Sequence, residues 1–383
     1  MALDPSSPLP PRNVLQTRAV PVALSLVTKL SSPPLCEVSY APAVTAEDPA
    51  KALAALAKKI DKKPKDASFL VGRGSTPVGV VAGKNGRKLD VDASAALVAD
   101  AVNARATAPD EELPAVEPAI AVVEPKLTTE EAEKTAPRMK RLASWTTRYE
   151  VSERNGFGNN ISIPARDING YVVQPGAIFD FWKAVGPVTY ERGYRDGGAI
   201  LNGRTEPTGA LAGGICSTST TLFNAAARAG LEILERDNHY YYISRYPTGL
   251  DATVWKTGGS QQSMRFRNDT DKPILVRAMA SPGVVTFEIW GPSTGRTVTF
   301  SRPTIKNVIK ARDTVQYTTS LRAGARKRIE YPVDGMSVWV SRTVRVSVEA
   351  DGRHIMTPTA DGVIVSTPTG STGTQAGLVV GFS

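Results

Sequence analysis

The sequence predicts an α+β, multidomain protein with a mixed α/β centre and a β-rich C-terminal module. Three observations carry this. The chain is 383 residues long, enough for two to three ordinary domains at roughly 100–200 residues each. Apolar residues recur at helical spacing early in the chain, as at Leu53, Leu56 and Ile60, but alternate near its end, as at Val338, Val340, Val344, Val346 and Val348. Between these stretches, residues 145–270 are rich in Gly, Asn, Tyr and Trp and contain a single clear helical pattern. The composition, 22% charged and 41% hydrophobic, excludes a disordered, collagen-like or coiled-coil chain.

Taken in order, residues 1–13 are Pro and Ser rich and expected to be irregular. An extended segment follows at Ala19–Val27, then a helix that opens near Thr45 and Asp48 in a pattern like a capping box and carries Leu53, Leu56 and Ile60. Phe69-Leu-Val, a Gly-rich stretch and a helix from about Asp92 to Ala104 come next, with Asp92 as the expected N-cap. The text Ala119-Ile-Ala-Val-Val-Glu-Pro-Lys-Leu-Thr-Thr-Glu-Glu-Ala132 echoes the first strand and helix start. One unit thus occurs twice, its first copy truncated, as in a chain beginning partway through a longer protein. Two unrelated strand and helix starts are the alternative. The helix after Cys216 has Ser217, Thr218 or Ser219 as its cap, Leu222, Phe223, Ala226 and Ala229 toward a core, and Gly230 as its stop. Beyond it come strands around Met264 and Phe266, Ile274–Val276, Val285–Ile289 and Val338–Val348. Residues 366–383 are expected to be a flexible tail.

The residues able to do chemistry are few. Two cysteines, Cys36 and Cys216, and two histidines, His239 and His354, exclude a four-cysteine metal site, and no metal or cofactor is expected. The segment Gly213-Gly-Ile-Cys-Ser-Thr-Ser-Thr-Thr221 sets a thiol at a helix N-terminus. Unpaired N–H groups and the helix dipole there stabilise a thiolate, and the same donors suit an oxyanion. Gly213 and Gly214 would let a substrate come close to the backbone, with Ser217 and Ser219 beside it. The other role open to Cys216 is a packed core residue, and a third is a disulfide with Cys36. His239, read on a strand with Tyr241 and Ile243, is the available base; Asp251 or Asn238 would orient its ring. Arg236, Arg245 and Tyr246 flank the same region and suit a substrate carboxylate.

The formal charge of +9 favours an anionic partner. The basic run Arg322, Arg326, Lys327, Arg328 lacks interleaved aromatics and a helix-turn-helix pattern, so nucleic acid is not the expected partner. No apolar run near the start approaches the roughly 20 residues of a membrane span, and Met1–Arg12 does not read as a signal peptide. The protein is therefore expected either to be cytoplasmic or to have an export segment outside this sequence.

At these residues the sequence resembles the VanW-like family of Gram-positive cell-envelope proteins. The resemblance runs through Asn159-Asn-Ile, Val173-Gln-Pro-Gly-Ala-Ile-Phe-Asp-Phe181, Gly213-Gly-Ile-Cys-Ser-Thr-Ser-Thr-Thr-Leu-Phe-Asn-Ala-Ala226, Glu235-Arg-Asp-Asn-His239 and Tyr246-Pro-Thr-Gly-Leu-Asp-Ala-Thr-Val254. It implies a VanW-like catalytic domain at 138–292. Residues 14–137 look like peptidoglycan-binding repeats, and 293–365 look like a G5-type β-module. The family's name comes from glycopeptide (vancomycin) resistance clusters, and the resemblance implies an extracellular, envelope location, with a membrane anchor upstream of this sequence. It further implies L,D-transpeptidation: Cys216 would attack the carbonyl of a stem tetrapeptide, release D-Ala and pass the acyl group to a neighbouring amine, with His239 as base and Asp251 completing the site. Expected partners are peptidoglycan stem peptides and anionic wall polymers. A cysteine peptidase, with water as acceptor, and a non-catalytic wall-binding protein are the alternatives. Where the common family text has Gln-Val after the cysteine, this chain has Ser217-Thr218.

Overall fold

The computed structural model describes residues 47–72, 78–107, 115–151, 156–201, 204–257, 259–311, 319–326, 333–350 and 353–366. The expected irregular start, the extended segment Ala19–Val27, Thr45, Cys36 and the tail after Ser366 lie outside them. The fold is α+β, built from several small antiparallel sheets. No described helix is long and apolar enough to cross a membrane.

The N-terminal part runs α1 (Glu47–Ile60), β1 (Ser68–Val71), β2 (Val78–Val81), β3 (Gly86–Leu89), α2 (Val91–Thr107), β4 (Ile120–Val123) and α3 (Thr129–Thr135). The N-cap of α2 differs from the expected Asp92: Asp90 accepts the N–H of Ala93 at 3.0 Å, so the cap lies two residues earlier and Asp92 falls in the first turn. Around Thr128 the capping box is complete, with Thr128 and Glu131 each bonding the other's backbone N–H. The two repeat-like helices differ in length, 14 residues in α1 against 7 in α3. One small core joins Leu53 of α1 to Leu89 and Ala95.

The central region opens on β5 (Lys140–Arg148) and continues through α4 (Asn159–Ile168), β6 (Tyr171–Val173), β7 (Ile178–Asp180) and α5 (Phe181–Val185). A hairpin of β8 (Asp196–Leu201) and β9 (Arg204–Leu211) then leads into α6 (Cys216–Arg228). After α6 come β10 (Glu232–Glu235), the hairpin β11 (Trp255–Thr257) and β12 (Ser260–Gln262), β13 (Arg265–Arg267), β14 (Ile274–Ser281) and β15 (Val284–Gly291). One antiparallel sheet has the order β5-β15-β14-β6, another β10-β13-β7. The alternating apolar positions of the sequence are its inner face: Val285, Phe287 and Ile289 are fully buried. Phe179 stacks on Phe266 at 4.8 Å and 11°, a pair worth about 0.5–1.5 kcal/mol beyond area burial.

Helix α6 is the centre of this core. Every residue from Ser217 to Ala227 is buried, so it shows no solvent face. Gly230 ends it at a φ of 77°. A helix buried on all sides must satisfy its polar side chains internally, and this demand shapes the site below.

The C-terminal part is β-rich: β16 (Arg296–Phe300), β17 (Thr304–Ile309), β18 (Gly335–Ala350) and β19 (Arg353–Ser366). Ser366, the first residue of the expected tail, pairs with Val338 in this sheet. Packing continues across the changes in sequence character. Phe69, Leu127 and Met139 share a cluster with Leu275 and Trp290, and Val338 and Val340 join the central core. The Arg228 guanidinium lies 3.9 Å from the Trp145 ring centroid and 4.7 Å from that of Phe300, tying α6 to β5 and β16.

Candidate active site

The turn before α6 is set by close backbone approach. A Cβ on Gly213 would lie 2.3 Å from the carbonyl carbon of Gly197 and 2.6 Å from the oxygen of Gly198. Gly213 therefore serves the packing of this turn against β8 and is not a substrate contact. Gly214 has a φ of 96° with the Phe157 ring edge 3.0 Å from its Cβ position, so a side chain there, not a peptide ligand, is what the ring excludes. Asn160, buried in α4, donates to the carbonyls of Arg195 and Gly213 at 2.8 and 2.9 Å and accepts the Arg195 N–H at 2.9 Å. Gly213→Ala is expected to destabilise the protein by about 1–3 kcal/mol, the usual cost of overpacking, measurable as a fall in the midpoint of chemical denaturation.

The chain then enters α6 at Cys216. The helix differs from expectation at its cap: Ile215 holds the N-cap position without a side-chain hydrogen bond. Ser217, Thr218 and Ser219 lie inside the helix, fully buried. Their hydroxyls hold neighbouring chain. Thr218 donates to Ile161 O at 3.0 Å, Ser219 to Ala252 O at 2.6 Å, and Ser217 shares a hydrogen bond with the Tyr246 hydroxyl at 2.9 Å. Thr220 completes the set by accepting the Ala252 N–H at 2.9 Å, and Asn224 donates to Leu250 O at 2.7 Å. The hydroxyl-rich run, expected to meet substrate at Ser217 and Ser219, instead clamps the segment 246–254 against the helix.

That segment carries the rest of the site. Residues 236–239 run beside 249–254, with Thr253 N–H bonding Asp237 O at 2.8 Å. His239 is not on a strand. The stretch from Tyr240 to Leu250 is a series of turns closed by Tyr246 N–H to Ile243 O and Leu250 N–H to Pro247 O, so Tyr241 and Ile243 do not continue a strand face with it. His239 is buried, and Asp251 Oδ2 accepts both its backbone N–H at 2.6 Å and its ring Nδ1–H at 2.7 Å. Asn238 turns its amide to the His239 carbonyl at 2.9 Å, which leaves Asp251 as the ring's partner. With Nδ1 committed, the other ring nitrogen is the one left to interact with the Cys216 side chain, and the two groups shift each other's pKa.

Arg236, expected on a substrate carboxylate, is buried behind this pair. Its guanidinium donates to Asp251 Oδ1 at 3.0 Å and to the carbonyls of Asp251 and Gly249. Arg245, by contrast, is exposed, donates to the Tyr246 hydroxyl at 3.1 Å and lies over the Phe157 and Tyr246 rings. The Tyr246 ring, itself buried, packs on His239 with centroids 5.4 Å apart.

Cys216 is a free thiol, partly exposed. Its Sγ lies 3.4 Å from the Val254 N–H and 3.7 Å from the Thr253 hydroxyl. Burial opposes its ionisation, but the hydrogen bond and charge of His239, with the Val254 and Thr253 contacts, outweigh it and lower the thiol below its ordinary value. Burial likewise opposes charge on His239; the bonds to Asp251 and Cys216 prevail and push it up to about 9. Asp251, also opposed by burial, is held down to about 2 by His239 and Arg236. The three form a thiol of lowered pKa, an imidazole held protonated up to about 9 and a carboxylate in series. Of the N–H groups at the helix start, those of Ser217 and Thr218 bond back to Gly214 O and Ile215 O at 3.0 and 2.9 Å. No backbone carbonyl of the described residues takes the N–H of Cys216, which leaves that donor next to the sulfur.

Sequence reasoning missed four parts of this arrangement: Thr253 and Val254 at the sulfur, Phe157 over Gly214, and Asn160 under Gly213. Trp255, next to Val254, is 41% exposed. The turn around Gly156–Gly158 borders a cavity of about 640 Å³ also lined by Tyr149, Tyr190 and Arg195.

A thiol at a helix start, an imidazole and a buried carboxylate in series are the parts used by thiol-dependent acyl-transfer enzymes. Residues 157–290, which contain all three, match the family model described as VanW like protein. Residues 35–109 match one described as "Putative peptidoglycan binding domain". The chain is 37% identical over 152 residues to the uncharacterized protein YoaR of Bacillus subtilis, covering 39% of this chain and 48% of that protein. It is 30% identical over 156 residues to the vancomycin B-type resistance protein VanW of Enterococcus faecalis, covering 39% of this chain and 50% of that one. The chain thus spans about half the length of the curated relatives it matches. No solved structure matches it. The chain is thus similar to VanW like protein over its central region and, ahead of it, to the model described as "Putative peptidoglycan binding domain". Neither match reaches residues 293–365, so the G5-type resemblance there rests on strand pattern alone.

Proposed function

We propose that the protein is an L,D-transpeptidase of the cell envelope that cross-links peptidoglycan through a thioester on Cys216. The observation that supports this most strongly is the series Cys216, His239, Asp251, in which the sulfur is partly exposed and the two groups behind it are covered. The match of residues 35–109 to a peptidoglycan-binding model supplies the substrate class, and the relative named for vancomycin resistance supports an envelope setting.

In the first half-reaction the Cys216 thiolate attacks the carbonyl carbon of the residue that precedes the terminal D-Ala of the donor stem peptide. The oxyanion that forms faces the Cys216 N–H. As the C–N bond breaks, the His239 imidazolium gives its proton to the departing D-Ala nitrogen, leaving a thioester and a neutral imidazole. In the second half, His239 takes a proton from the acceptor amine as that amine attacks the thioester. The new amide forms, the C–S bond breaks, and the thiolate and imidazolium are restored. Asp251 keeps Nδ1 protonated, so the nitrogen facing sulfur does the proton transfer at each step. Arg245, exposed beside this site, is the cation placed to meet a stem-peptide carboxylate, and Trp255 offers an apolar wall. The β-rich C-terminal part is assigned a G5-like supporting role, and anionic wall polymers are a second partner class, favoured by the +9 charge.

Mass spectrometry of the intact protein after incubation with a tetrapeptide muropeptide tests the reading. The expected result is a donor acyl adduct on Cys216 that is absent in Cys216→Ala and is discharged by an amine acceptor into cross-linked product. Discharge only to the hydrolysed tripeptide would make the enzyme a peptidase; no adduct under any donor would leave a wall-binding protein.

A further inference from the structure

We propose that the paired segments 58–65 and 84–88, outside the thiol site, form a binding surface for a linear phosphodiester polyanion. The described residues of 58–88 include eight lysines and arginines, Lys58, Lys59, Lys62, Lys63, Lys65, Lys84, Arg87 and Lys88, against two acids, Asp61 and Asp66. All eight are exposed, and none forms an ion pair among the described residues. The two acids face backbone instead: Asp61 accepts the Leu89 N–H at 2.8 Å and Asp66 the Lys126 N–H at 2.7 Å.

The chain pairing then sets like charge against like. Lys62 and Arg87 exchange both backbone hydrogen bonds at 2.9 Å, and Lys65 and Lys84 do so at 2.8 Å. Residues directly opposite in an antiparallel pair project to the same face, and like charges there are destabilising. The two cationic pairs lie three residues apart in each segment, with no protein anion to offset either, and suit a flexible linear ligand that brings closely spaced phosphates. The backbone beneath is tight: a Cβ on Gly86 would lie 2.5 Å from Lys62 O. Arg87 is further held by its Nε bond to Ile60 O at 2.9 Å.

The surface does not suit the other polyanions as well. Phe69, the one aromatic side chain among the described residues of 47–107, is 3% exposed, so there is no platform for stacking bases. Exposed Trp or Tyr of the kind that anchors proteins at a lipid interface is likewise absent from those residues. The proposal rests on the envelope setting and the anionic-polymer partner class of the proposed function and needs nothing of Cys216.

The test is fluorescence anisotropy with end-labelled, lipid-free poly(glycerol phosphate) and the full chain. Wild type and Cys216→Ala are expected to bind alike, with affinity falling as salt rises through loss of counterion release. The Lys62→Glu/Lys65→Glu double variant is expected to lose on the order of tenfold or more in affinity, as is Lys84→Gln/Arg87→Gln from the opposite segment, while Arg302→Glu on the C-terminal part leaves binding unchanged. The glutamates would face Arg87 and Lys84, so the first variant is expected to melt at or above the wild-type temperature, which separates lost binding from lost folding. Unchanged affinity in both double variants, or tighter binding to phosphatidylglycerol vesicles that the polymer does not displace, would overturn the assignment. A Cys216→Ala protein that binds the polymer but forms no adduct keeps the two proposals apart.

Discussion

His239→Ala is expected to slow acylation of Cys216 by a muropeptide by on the order of 10²–10⁴, the usual contribution of a positioned general acid–base. Two losses combine. The sulfur forfeits the partner that lowers its pKa against burial, and the departing D-Ala nitrogen forfeits its proton donor. Single-turnover acylation followed by mass spectrometry measures the effect, and retained near-ultraviolet circular dichroism shows that the core is intact. The pH dependence has a definite sign. His239 stays protonated until about 9, so acylation should hold through the neutral range and fall as pH rises past that value. Stability follows the same group. Because its folded pKa lies above that of the unfolded chain, roughly 6.5, its contribution is full below the unfolded value and is lost as pH rises through about 9. Asp251 acts at the other end: held down to about 2, it contributes above the unfolded carboxylate value, and that contribution disappears as pH falls through about 2.

Arg236→Met should destabilise the fold by about 3–5 kcal/mol, because it strips the buried Asp251 carboxylate of one of its two cationic partners and leaves the carbonyls of Asp251 and Gly249 without their donor. Both side chains are well covered, Arg236 at 4% exposure and Asp251 at 14%. Lysine is no substitute. A single ammonium cannot reach Asp251 Oδ1, Asp251 O and Gly249 O with the geometry of a planar guanidinium. Removing Asp251 as well, in Arg236→Met/Asp251→Asn, should recover part of the loss, since the carboxylate that lost its guanidinium partner is then gone. Denaturant unfolding of the two single variants and the double gives the coupling energy. Additive losses would mean that the pair does not act as a unit.

Much of the candidate site was legible because two of its three parts, cysteine and histidine, are chemically rare in this chain. One cysteine opens a strong helical pattern, one histidine lies within the same region, and Asp251 sits in a short run rich in turn residues. The alternating strands near the C-terminus were legible for the same kind of reason, since a period of two marks one buried face. What could not be read was the direction in which polar side chains point. Ser217 and Ser219 look like substrate contacts from their place at a helix start; only the burial of α6 on every side turns them into clamps on Ala252 and Tyr246. Arg236 is chemically suited to a ligand carboxylate, and the chain supplies one of its own in Asp251, fifteen residues on. The aromatic run after His239 has strand propensity, but Pro247 and the positive φ of Gly249 belong to turns that fold it back. The cationic surface was hidden for a simpler reason. Its lysines lie in two separate stretches, and the density appears only when backbone pairing sets 62–65 beside 84–87.

The most direct measurement of the central claim is the pH profile of Cys216 alkylation by iodoacetamide. A thiolate held by His239 predicts a rate that is already high well below the ordinary thiol pKa of about 8.5 and that collapses to an ordinary thiol profile in His239→Ala. A wild-type rate that rises with pH like a free thiol, or a sulfur that resists alkylation in the folded protein at every pH, would contradict it.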